Sequence, residues 1–331
     1  MCEAFLEKHK SALEFLKEDK FDIIFTEQLD FCGTGLKEVL GIKTHLWISS
    51  CPLMDHMAWI LGVPTPLSYV PVVGDHDISD KPSYFERLWN IIEYIGDVYV
   101  YRQDFPRPIL HNTIYIGGLG IKNNTHGLSE PYKSEMEKGK KGVVYFSLGS
   151  NANTKNIPYE VKKNLFEAFK SLPDYHFLAK VDKGDKEGES LAKPITNLHT
   201  FQWAPQPDIL SHPRLKAFIT HGGYNSLIES ARVGVPIISF PFFVDQWRNG
   251  RVAERNGWGI TFDKNKLLHG SKEFLDSLKK ILEIPGYQEK ATRTKHLILN
   301  KPFSSSDKLI KYTEFVAENG GEKSIARIPD P

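Results

Sequence analysis

Between positions 203 and 246 the chain carries Trp203, Gln206, His221, Gly222, Gly223, Asn225, Ser226, Glu229, Asp245 and Gln246. The histidine, the glycine pair and the small polar residues after it are of the kind that can hold a phosphorylated molecule. The apolar run Leu215 to Ile219 reads as a buried strand. It passes through Thr220 and His221 into Gly222-Gly223, after which Asn225 and Ser226 open an amphipathic helix. A strand that runs through small residues into a helix start leaves backbone N–H groups unpaired at the positive end of the helix dipole, which suits a phosphate. A second turn of this kind, Ser147-Leu148-Gly149-Ser150, follows the apolar run Gly142 to Phe146.

The elements around these residues alternate. In the first part, a helix over 2–18, a short strand Phe21–Phe25, a helix Phe31–Leu40 and a strand Lys43–Ser49 give strand-helix-strand order and hence a parallel sheet. Residues 52–74 are rich in Pro and Gly and read as a loop; Tyr84–Val98 reads as an amphipathic helix and Asn112–Ile116 as a strand. A polar stretch over 121–141 reads as a linker. The second part follows as strand 142–146, helix Pro158–Leu172, strand His176–Val181, strand Leu198–Trp203, a short helix Pro207–Ser211, strand 215–219, helix 225–233, strand 235–239, helix 246–256 and a last helix Ser305–Asn319. The expected fold is α/β, with two doubly wound Rossmann-like domains facing across a cleft: residues 1–120, then the linker, then 142–331. A dinucleotide-binding fingerprint is absent from Gly33-Thr34-Gly35-Leu36-Lys37-Glu38, where Glu stands in place of the third glycine.

Composition narrows the partners. The 331 residues favour two domains, and 42 Lys plus Arg against 41 Asp plus Glu leave a net charge of +1, which supplies no field for nucleic acid or an anionic membrane. Cys2, Cys32 and Cys51 make no disulfide framework, and no Cys/His cluster suggests a metal. No basic segment followed by an apolar stretch opens the chain, and no apolar run reaches membrane-spanning length, so the chain as written is expected to be soluble.

The segment 203–246 resembles the signature of the UDP-glycosyltransferases, the GT-B-fold enzymes that move a sugar from a nucleotide sugar to a small acceptor. The matching residues are Trp203, Pro205-Gln206, His212-Pro213, His221-Gly222-Gly223, Asn225-Ser226, Glu229, Gly234-Val235-Pro236, Pro241 and Asp245-Gln246. The resemblance implies a division of labour along a UDP-sugar. Trp203 stacks on uracil, Gln206 and Glu229 bind the ribose, and His221, Gly222, Gly223, Asn225 and Ser226 hold the diphosphate together with Ser150. Asp245 and Gln246 meet the hexose, either glucuronic acid or glucose. It also implies inverting transfer to a small lipophilic acceptor without metal or cofactor, the helix dipole taking the place of a cation at the leaving UDP.

In the family a histidine near the start of the first domain deprotonates the acceptor, and an acidic residue after a Phe-Asp-type strand orients it. Glu27 occupies the acidic position, with Asp30 as runner-up, while His9, His45 and His56 do not occur in the expected context. The abrupt step from Tyr101 to Asp104-Phe105-Pro106 departs from the family pattern, which usually inserts a further helix and strand there. Family members of the animal type carry a signal peptide and a membrane anchor and face the lumen of the endoplasmic reticulum; the sequon Asn123-Asn124-Thr125 fits that ancestry. The expectation is therefore of an incomplete chain that binds UDP but lacks the base histidine.

Overall fold

The computed structural model describes residues 6, 8–27, 32–49, 63–64, 66, 70, 83–97, 114–119, 127–150, 152–243 and 245–319, with the backbone alone at 34 and 92–97. The runner-up Asp30, His56, the sequon and the step after Tyr101 lie outside them. The chain divides into two compact units, one of residues 1–66, 94–119 and 303–331, the other of 67–93 and 120–302.

In the first unit, α1 (Lys10–Glu18) precedes β1 (Ile23–Glu27), α2 (Cys32–Leu40) and β2 (Thr44–Ile48). The two strands pair in parallel from Ile23 opposite Thr44 to Glu27 opposite Ile48. Gly33 lets α2 lie against β1, since a Cβ there would stand 2.6 Å from the Thr26 methyl. Residues 114–116 form no strand, unlike the expectation for Asn112–Ile116. Cys32 is disulfide-bonded, so one cysteine bond exists where the sequence suggested no framework; its partner lies outside the described residues. The terminal helix (Ser305–Asn319) belongs to this unit, and the Ser305 hydroxyl donates to the Gly117 carbonyl at 2.8 Å.

The second unit is a six-stranded parallel sheet. Its strands are β3 (Gly142–Ser147), β4 (Tyr175–Lys180), β5 (Leu198–Phe201), β6 (Leu215–Thr220), β7 (Ile237–Ser239) and β8 (Gly259–Thr261), ordered β5-β4-β3-β6-β7-β8. Every residue of β3 and β4 is buried, the pattern of strands covered by helices on both faces. Along β3, Val144 and Phe146 join one apolar cluster while Val143 and Tyr145 join the other, as the two-residue period of a strand requires. Phe169 and Phe177 stack with ring centroids 4.3 Å apart inside the first cluster, a pairing that contributes about 1 kcal/mol beyond area burial.

The stretch expected as linker contains the short helix Tyr132–Met136, held to the second unit. There the Arg214 guanidinium donates to the carbonyls of Met136 and Lys138 at 2.9 Å, and the buried Glu135 carboxylate meets His176 at 2.7 Å. Helices at 186–192, 272–283 and 285–299 and strand β8, none of them among the elements expected from sequence, also belong to the unit.

Candidate functional site

Strand order decides where a ligand can sit. The sheet begins at β3, grows outward through β4 and β5, then returns to the other side of β3 with β6, β7 and β8. The direction of winding reverses between β3 and β6, and in such sheets the crevice beyond the carboxyl ends of the reversing strands is the ligand site. The two turns singled out from sequence, 147–150 after β3 and 220–223 after β6, are the two lips of that crevice.

His221 joins them. Its imidazole occupies the volume where side chains of both turns would be: a Cβ on Gly149 would stand 2.6 Å from the ring Cε1, and one on Gly223 2.3 Å from Nε2. The glycines therefore make room for the protein's own histidine. A Cβ on Gly222 would likewise meet the Ser239 hydroxyl at 2.4 Å and the Gln246 carbonyl at 2.9 Å. Burial, and then the Lys180 charge, hold the His221 pKa down to about 4, so the ring is neutral near pH 7.

The helix after the second turn, α8 (Tyr224–Val233), starts one residue before the position expected from sequence. Gly223 is its N-cap, and no side chain caps it. Ser226 is buried in its first turn, whereas Asn225 is exposed, without a hydrogen bond to the other candidates among the described residues. Ser150 is exposed as well, on the opposing turn.

Gln206 opens the short helix Gln206–Leu210, and its Nε2 donates to the Glu229 carboxylate at 2.7 Å and lies 3.3 Å from the Ser226 hydroxyl. Gln206 thus joins Ser226 and Glu229, one helical turn apart on α8, in one polar cluster. Beneath it sits the buried Tyr145, whose hydroxyl lies 3.4 Å from the Gln206 Oε1 and whose pKa is raised by burial. Trp203 follows β5 and is 73 % exposed, a large ring left facing solvent. Its carbonyl accepts a hydrogen bond from the Tyr132 hydroxyl, which anchors the backbone beneath the ring.

Asp245 and Gln246 begin α9 (Gln246–Arg255). Asp245 stands at the N-cap position, but its side chain makes no capping hydrogen bond. The carboxylate accepts instead from Asn249 Nδ2 at 2.8 Å, and its pKa is raised by burial. Gln246 accepts through Oε1 from the backbone N–H groups of Phe242 at 2.8 Å and Phe243 at 3.3 Å, which leaves its Nε2 as the end able to donate outward. The Asp–Gln pair therefore offers one acceptor and one donor.

Two residues that sequence reasoning missed brace this site. Lys180, buried at the end of β4, donates to the Gly149 carbonyl at 2.7 Å and to Asp182 at 2.7 Å, and Asp182 accepts from the Thr154 N–H at 2.9 Å. A lysine closing the largely apolar run Phe177-Leu178-Ala179 was the readable sign. Asn249 donates to the Gly222 carbonyl at 2.9 Å as well as to Asp245. Its spacing of four residues from Asp245 was the sign there.

Glu27 lies elsewhere, at the end of β1 in the first unit and half-buried. Beside it, His45 Nε2 and the Thr26 hydroxyl are 2.5 Å apart. Among the described residues no cluster of three His, Cys, Asp or Glu is arranged for a metal ion.

The His221 environment sets a pH dependence. Its folded pKa of about 4 lies below the ordinary 6.5, so the unfolded chain takes up a proton between those values that the folded chain refuses. The stability this site contributes is whole above pH 6.5 and declines as pH falls toward 4. Urea unfolding at pH 7.5 and pH 5 is expected to show a smaller acid loss in His221→Gln than in the unaltered protein; equal losses would contradict the assignment.

Comparison with known proteins agrees with this architecture. The family described as UDP-glucoronosyl and UDP-glucosyl transferase matches residues 1–101 and 95–327. The Caenorhabditis elegans protein ugt-48, named as a UDP-glucuronosyltransferase, is 40 % identical over 98 % of this chain and 68 % of its own length. UDP-glucuronosyltransferase 2A2 of Mus musculus is 27 % identical over 98 % of the chain and 66 % of its own length, so the chain spans about two thirds of such relatives. Among solved structures, the glycotransferase of kitacinnamycin superposes with a TM-score of 0.61 at 19 % identity, covering 94 % of this chain and 81 % of that one, a likeness of fold. The fold is thus the GT-B type, and the chain belongs to the UDP-glucuronosyl and UDP-glucosyl transferase family.

Proposed function

We propose that the second unit binds a UDP-sugar at the carboxyl ends of β3, β6 and β7, and that the protein transfers the hexose, glucuronic acid or glucose, to the hydroxyl of a small lipophilic acceptor with inversion. The observation that carries this reading is the neutral His221 ring seated between two glycine turns at the winding reversal of the sheet. There the uncapped start of α8 offers backbone donors to a diphosphate and stabilises the leaving UDP as its charge grows, in place of a metal or cofactor. A neutral ring donates a hydrogen bond without the cost of a buried charge. Trp203 stacks on the uracil, and Gln206 with Glu229 takes the ribose, the carboxylate accepting from adjacent hydroxyls. His221, Gly222, Gly223, Asn225, Ser226 and Ser150 surround the diphosphate. Asp245 accepts from hexose hydroxyls while Gln246 Nε2 donates to the sugar, a polarity that serves either hexose. Glu27 serves as the acid that orients a base.

The protein is read as facing the lumen of the endoplasmic reticulum. The bonded Cys32 supports an oxidising compartment, and among the described residues no helix is long and apolar enough to cross a membrane. Calorimetry with UDP tests the donor site, and an assay of transfer to a model phenol tests the reaction. Absence of UDP binding sinks the whole reading. UDP binding without transfer favours the second reading, a binding chain without its base histidine, which rests on His45 being engaged with Thr26 and no other histidine standing in the expected context.

The ribose assignment makes a separate prediction. Glu229→Gln is expected to weaken UDP binding by about tenfold or more, because hydrogen bonds to a charged acceptor are the stronger kind. It should also erase the preference for UDP over 2′-deoxy-UDP. A variant that keeps that preference places the ribose elsewhere.

A further inference from the structure

We propose that Asn249 is a positioning residue that ties the Asp245 carboxylate to the Gly222 turn, so that the hexose and diphosphate halves of the donor site are set as one piece. The proposal rests on the UDP-sugar reading above. Asn249 is fully buried in α9, and its single Nδ2 group donates to the Gly222 carbonyl at 2.9 Å and to Asp245 Oδ2 at 2.8 Å. Both partners are acceptors, so the orientation of the amide is determined by its surroundings. Aspartate at this position has no proton to give, leucine has no polar group, and glutamine is a methylene too long for the same two contacts.

Two further observations speak for a task beyond filling space. The Asn249 Oδ1 is buried with no hydrogen-bond partner among the described residues, a cost that an apolar residue of the same volume avoids. And the helix carrying it is seated tightly: a Cβ on the next residue, Gly250, would stand 2.8 Å from the Thr261 hydroxyl and 2.9 Å from the Ser239 side chain. A rigid carrier lets one amide transmit position between two segments 23 residues apart, Gly222 and Asp245. The Asn249 hydrogen bond also opposes the rise that burial imposes on the Asp245 pKa.

The test is calorimetry on the full chain with UDP, UDP-glucose and UDP-glucuronic acid, for the unaltered protein, Asn249→Leu, Asp245→Asn and the double variant. Asn249→Leu is expected to bind UDP about threefold to tenfold more weakly and to lose whatever gain a UDP-sugar shows over UDP. The sugar gain should fall no further when Asp245→Asn is added, since both changes break the same link. A purely structural asparagine would weaken all three ligands alike and add independently to Asp245→Asn, and that result overturns the proposal. If the leucine variant fails to fold, Asn249→Ser, smaller and with one donor, carries the same comparison. Unaltered protein that ignores UDP sinks the donor reading itself; unaltered protein that binds it, beside variants that bind identically, sinks only the coupling.

Discussion

Gly222→Ala is expected to lose about 3 kcal/mol of stability and most of its affinity for UDP. The backbone at Gly222 has φ +85°, a left-handed conformation that costs any other L-residue roughly 1–2 kcal/mol. The added methyl would also enter space held by the Ser239 hydroxyl, at 2.4 Å, and the Gln246 carbonyl, at 2.9 Å. Ser239 can shift its hydroxyl, but the carbonyl belongs to the start of α9 and cannot move without carrying Asp245 and Gln246 with it, an overpacking cost of about 1–3 kcal/mol. Because Gly222 also presents its carbonyl to Asn249, the displacement reaches the turn before α8. Denaturant unfolding and UDP calorimetry measure the two effects, and a variant as stable as the parent would contradict the geometry.

Trp203→Ala is expected to do the opposite, leaving stability nearly untouched while weakening UDP binding roughly tenfold to a hundredfold. With 73 % of the residue exposed, its removal takes little surface out of the core, and such changes fall within about 0.5 kcal/mol. Stacking of a base on an aromatic face is worth about 1–3 kcal/mol, which sets the affinity loss. Trp203→Phe, retaining a smaller face, should fall between. The Tyr132 hydroxyl holds only the Trp203 carbonyl, so the backbone stays in place when the ring is removed, and the loss can be assigned to the ring. Equal affinities for all three proteins would show that the indole does not touch the base.

The pairing of these outcomes separates two kinds of residue within one site. Gly222 acts through the fold, because its surroundings are protein atoms packed to contact. Trp203 is expected to act through the ligand, because it is largely exposed. Lys180 and Asn249 stand between the two, since each spends its protons on carbonyls and carboxylates of the site.

Local periodicity made much of the second unit legible. The alternation of Val143 to Phe146, the amphipathic helices after Pro158 and Thr220, and the turns at Gly149 and Gly222 follow from rules that act over a few residues, and the elements lie within a residue or two of where those rules put them. The candidate site residues were singled out through their resemblance to one family's signature, and the structure brings Gln206 to Ser226 and Glu229 and seats His221 between the two glycine turns. The first unit was less legible, since its strands are short and half-exposed and 114–116, read as strand, form none.

What the sequence by itself determined, then, was the set of elements and the chemistry of their ends, because propensity, alternation and turn chemistry are local. Only the tertiary structure decided that β3 and β6 lie side by side, that His221 fills the space left by Gly149 and Gly223, that Asp245 accepts from Asn249 instead of capping its helix, and that Lys180 closes on the Gly149 turn. Strand order and side-chain fit depend on contacts between residues tens of positions apart. No local rule encodes them, and they take form only when the two faces of the sheet are buried together.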